Sequence, residues 1–105
     1  MHFCFSVKKA IQAAAALLRT EETRQMPYLR LLKLLYIADR DSIRKTGRPI
    51  TGDQIQAMEY GPVPESVYKL IKGEHYNSPS WSKHFQTAGY LIRWTPLSRP
   101  KKCFP

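Results

Sequence analysis

"LLKLLYIADRDSIRKTGRPITGDQIQAMEYGPVPESVYKLIKG", residues 31–73, runs from a leucine-rich helix through two turns into a second helix. The first of these helices starts near Pro27, a residue suited to a first helical turn, and runs to about Lys45. Gly47 is its stop signal, and Arg44 and Lys45 sit in the last turn, where cations suit the helix dipole. Tyr28, Leu32, Leu35, Tyr36 and Ile43 fall on one stripe at helical spacing, and Asp39 falls on the same stripe. Arg30, Lys33, Arg40 and Arg44 occupy another face, interrupted by Ile37. "GRPITGD" is turn chemistry, and "QIQAMEYGPV" reads as a short strand or a helical turn. Pro62 and Pro64 then exclude helix. Pro64 can open the next helix, "PESVYKLIK", which Gly73 ends.

Upstream, residues 6 to about 20 read as a helix capped by Ser6, with Val7, Ala10, Ile11, Ala14, Leu17 and Leu18 on its apolar face. "TEETRQ" is a polar connector. Downstream, "EHYNSPSWS" reads as a loop and "HFQTAGYLIRW" as a strand rich in β-favouring residues. A strand needs a partner, and "TPLSRPKKCFP" does not look like one.

At 105 residues one domain is expected, with a modest core and no room for a deep two-domain cleft. The apolar share of 43% argues against general disorder. The net charge of +9 favours an anionic partner, but Lys83, Arg93, Arg99, Lys101 and Lys102 follow the last acidic residue, Glu74. Without those five the chain carries +4, which weakens a nucleic-acid reading. Cys4 and Cys103 share no motif spacing, so a reducing cytoplasm is the expected setting. No signal-peptide pattern opens the chain and no run is long enough to span a membrane, so no membrane partner is expected.

Asp39 carries the sharpest question. A carboxylate on an apolar stripe must be paired or hydrogen-bonded. It reads either as a perturbed catalytic acid or as a structural acceptor tying a nearby turn or an arginine, with the 60–63 corner as the preferred partner. Nucleophilic catalysis finds no motif, since His2, His75 and His84 are scattered. Cys4, His75, His84 and Cys103 lack paired ligand spacing, so no metal and no cofactor are expected.

Residues 31–73 closely resemble the Panacea domain, also called the SocA-like or phage-associated antitoxin domain. The matching positions are Lys33, Leu34, Leu35, Tyr36, Ala38 and Asp39 in the helix, then Gly47, Arg48 and Pro49 in the turn. Ala57, Tyr60, Gly61, Pro62 and Val63 match around the corner, and Ser66 and Tyr68 match in the helix that follows. The resemblance implies an α+β fold, mostly helical with three or more helices and a small antiparallel sheet. It implies a non-enzymatic bacterial or phage antitoxin that neutralises a cognate toxin by direct contact, in some members as an adaptor handing the toxin to a protease. Family members usually continue after "AGYLIR" into further structure. Here residues 1–92 are expected to form the domain, and 93–105 an irregular basic tail that reads as truncated or out of frame.

On this reading Tyr36, Arg40, Tyr60, Gly61, Pro62, Val63 and Tyr68 form or support the partner-binding surface, while Asp39, Gly47 and Pro49 are structural. The alternatives are a nucleic-acid-binding regulator using Arg30, Lys33, Arg40 and Arg44, and a small hydrolase or transferase with Asp39 as its acid. The gap from Lys45 to Pro64 is too long for a helix–turn–helix.

Overall fold

The computed structural model describes residues 4–59 and 61–95. Its elements are helix α1 (Val7–Arg19), strand β1 (Gln25–Pro27), helix α2 (Tyr28–Thr46) and the hairpin of β2 (Ile55–Met58) and β3 (Gly61–Pro64). Helices α3 (Glu65–Lys72) and α4 (Ser78–Ser82) follow, then the hairpin of β4 (Phe85–Ala88) and β5 (Leu91–Trp94). The fold is α+β, with a three-stranded antiparallel sheet in the order β1-β5-β4 and a separate two-stranded one. The basic tail expected over 93–105 lies, from Pro96 onward, outside the described residues.

Helix α1 begins where Ser6 Oγ accepts the Lys9 N–H at 3.2 Å. Ala10, Ala14 and Leu18, four residues apart, form its buried stripe. On α2 the buried positions are Leu31, Leu32, Leu35 and Asp39. Met26 of β1, Val63 of β3, Val67 and Leu70 of α3, Trp81, Phe85 and Ile92 complete one core. Trp81 and Phe85 pack with ring centroids 4.3 Å apart.

The run read as one strand is two, β4 and β5, paired from Phe85↔Trp94 to Ala88↔Leu91 across Gly89 and Tyr90. Its third partner is β1, which takes Gln25 from the segment read as a polar connector and Pro27 from the expected helix start, with Met26 opposite Ile92. The segment read as a loop contains α4, a single short turn of helix.

The β2–β3 register pairs Ile55↔Pro64, Gln56↔Val63, Ala57↔Pro62 and Met58↔Gly61. Antiparallel pairs alternate between bonded and non-bonded, and proline has no N–H to give. Pro62 and Pro64 therefore occupy the non-bonded positions. The corner keeps its ladder through Gln56↔Val63 and Met58↔Gly61, and its prolines cost no ladder bond.

Candidate functional site: two carboxylates and a groove

Helix α2 ends at Gly47, whose N–H reaches the Ile43 carbonyl at 2.8 Å. The loop that follows folds back onto α2 because Asp39 holds it. Asp39 Oδ1 accepts the N–H groups of Ile50 at 3.0 Å and Thr51 at 2.9 Å, and Oδ2 accepts the Thr51 hydroxyl. Asp39 is only 6% exposed, and these donors answer the cost of burying it. The acid on the stripe is thus a structural acceptor. Its turn is Ile50–Thr51 and not the 60–63 corner expected from the sequence. That corner is met by Lys33, whose Nζ donates to the Pro62 carbonyl at 3.3 Å. A long cation reaches an exposed carbonyl easily, whereas the short Asp39 side chain serves the loop next to it.

A second carboxylate escaped the sequence reading. Helix α3 opens after Pro64, which offers no capping side chain. The Glu65 N–H goes to the Gln54 carbonyl at 2.8 Å, and the next two donors go to Asp53, where Oδ1 accepts the Ser66 N–H at 3.0 Å and Oδ2 accepts the Val67 N–H at 3.0 Å. Oδ1 also takes the Gln54 N–H at 2.8 Å. Burial pushes the Asp53 carboxyl above its ordinary pKa, while the backbone donors from Val67, Ser66 and Gln54 pull the other way. The signal available in the sequence was a helix whose N-terminus had no local cap.

Thr51 joins the two acids. Its hydroxyl donates to Asp39 and accepts the Asp53 N–H at 3.3 Å. Its carbonyl takes the Ser6 N–H at 2.9 Å, which ties the start of α1 to the same loop. The next residue, Gly52, has φ +77, and a Cβ there would strike the Cys4 carbonyl.

Beside this network lies a groove of about 340 Å³ lined by Tyr36, Asp39, Arg40, Ile43, Arg44, Pro49, Asp53 and Ile55. It brings together Tyr36, Arg40, Asp39 and Pro49 from the expected set. Gly47 caps α2 close by in sequence but does not line the groove. Val63 is in the core at 1% exposure, Gly61 is half-buried and Pro62 is exposed. Tyr68 is half-buried, with Lys72 Nζ 5.7 Å from its ring centroid. Tyr60 lies outside the described residues. Of the basic stripe, Arg30 pairs with Glu21 at 3.4 Å and Lys33 is engaged with the corner. Arg40 and Arg44 make no ion pair among the described residues.

The family model described as "Antitoxin SocA-like, Panacea domain" matches residues 31–96, and the chain belongs to that family. No curated protein and no solved structure matches it significantly. Among the described residues, no three His, Cys, Asp or Glu side chains gather as a metal site, and no helix is long and apolar enough to cross a membrane.

Proposed function

We propose that this chain is an antitoxin that neutralises a cognate bacterial or phage toxin by direct protein–protein binding in the cytoplasm. The observation that carries the reading is the family match over residues 31–96. The groove at Tyr36 and Arg40 is the proposed contact surface, with the 60–63 corner and Tyr68 as its extension or support. It does no chemistry of its own. Asp39, the best candidate for a catalytic acid, has both oxygens committed to loop donors. The nucleic-acid reading loses force because two of the four stripe cations already have partners within the chain.

Co-expression with the product of the adjacent gene tests this. The neighbour alone should stop growth, and this chain should restore it. A neighbour that is harmless alone, or equally toxic with this chain present, defeats the reading. Following the toxin's lifetime in the rescued cells separates blockade from delivery to a protease, since only delivery shortens it.

A further inference from the structure

Among the described residues the outer edge of β2 has no strand beside it. Because Pro62 and Pro64 force Ala57 and Ile55 into non-bonded pairs, the backbone N–H and C=O groups of Ile55 and Ala57 point away from β3. Neither N–H finds an acceptor among the described residues. Ile55, Gln56 and Ala57 are all exposed, Ile55 at 45%. Edges of this kind are templates for an added strand, and proteins usually blunt them with charge, proline or a cover. On β3 the two prolines do this. On β2 nothing does.

Ile55 also forms one wall of the groove, so edge and groove are continuous. The groove's apolar walls are Tyr36, Ile43, Pro49 and Ile55, and its free charges are Arg40 and Arg44. Asp39 and Asp53 line it too, but their oxygens are occupied by the loop and by α3. A ligand therefore meets the exposed guanidinium groups of Arg40 and Arg44 around an apolar floor, while the two carboxylates are turned to the loop and to α3.

We infer that the partner enters as an extended, acidic segment that pairs along the outer edge of β2. It seats an apolar side chain between Tyr36 and Ile55 and sets flanking carboxylates on Arg40 and Arg44. This deepens the antitoxin reading by naming what part of the toxin is held. A second copy of this chain is the poorer fit, since it would add its own arginines to the same charge.

The probe is a phage-displayed library of random peptides panned on the wild-type chain. Enriched peptides should alternate apolar and acidic residues with period two. They should bind Ala57→Pro, and separately Arg40→Glu/Arg44→Glu, at least about tenfold more weakly. Ile55→Lys, at an exposed position, gives the same result should Ala57→Pro fold poorly. Hydrogen exchange at the Ile55 and Ala57 amides should be fast in the free chain and slowed by the bound peptide. No enrichment, enrichment of helically spaced or basic peptides, or equal binding to these variants overturns the proposal. So does a wild-type dimer that Ala57→Pro dissociates, which would assign the edge to a second copy. In the co-expression assay, rescue that survives all three variants sinks the edge and leaves the antitoxin reading standing. No rescue by wild type defeats the antitoxin reading, and the peptides then decide on the edge alone.

Discussion

Thr51 gives Asp39 both its backbone N–H, at 2.9 Å, and its hydroxyl, so one carboxylate is held by one residue through two donors. Ile50 adds a third donor at 3.0 Å. Asp39→Ala would leave these donors without an acceptor in a buried setting, at about 3 kcal/mol. Asp39→Asn keeps one acceptor and should cost roughly half of that. Urea denaturation of the two variants checks the order. An Asp39→Ala protein as stable as wild type removes the structural role assigned to this acid.

Asp53 caps α3 from outside the helix. Asp53→Ala should cost about 1–2 kcal/mol, and Asp53→Asn less, because Asn still accepts and carries no buried charge. The pH dependence has a definite sign. Burial raises the folded pKa, so the folded chain holds this proton to higher pH than the unfolded chain does. The stabilisation is full below the unfolded value of about 3.9 and is lost as pH rises through the folded value. The difference in stability between wild type and Asp53→Asn, followed across the acid range, isolates this proton. A difference that grows in the opposite direction would falsify the assignment.

Gly52 and Gly47 both have positive φ, at +77 and +80, but only Gly52 faces a backbone obstacle. Gly47→Ala should cost about 1 kcal/mol for the left-handed conformation alone. Gly52→Ala should cost clearly more, about 2 kcal/mol or above, because the Cys4 carbonyl belongs to the main chain and cannot swing aside. Thermal melts of the pair read the difference directly.

Proline scanning of β2 tests the hydrogen-bond phase of the hairpin. Gln56→Pro removes a ladder N–H opposite Val63 and should cost about 2 kcal/mol or more. Ala57→Pro removes an outward N–H and should stay within about 1 kcal/mol. Equal losses would mean that the inward and outward positions have been exchanged.

The helices were legible because each carried its own punctuation. Ser6 starts α1, Gly47 ends α2, and Gly73, in the left-handed conformation, ends α3. The strands were harder, because their identity depends on distant partners. Gln25–Pro27 has no local strand signal and is extended because β5 lies beside it. The run from Phe85 to Trp94 read correctly as β, but its partner was sought downstream when it lay within the run itself. At the site, Asp39 was singled out by its place on an apolar stripe, a local pattern. Its choice of Ile50 and Thr51 over the proline corner depended on loop geometry, and the corner is met by Lys33 instead. Asp53 sits in turn chemistry where an aspartate draws no notice. Only the missing cap of α3 pointed to it.

The Asp39–Thr51–Asp53 relay also bears on the order in which the chain assembles. Its longest bonds join residues 11 to 14 positions apart, whereas the three-stranded sheet must bring Gln25 to Arg93. Short closures lose less chain entropy, so the stretch from α2 to α3 is favoured to organise first. It is also favoured to open last, as a subglobal unit that outlives fraying of the sheet made from the chain's two ends. A partner strand added to β2 would then bind the most persistent part of the molecule and extend its lifetime further.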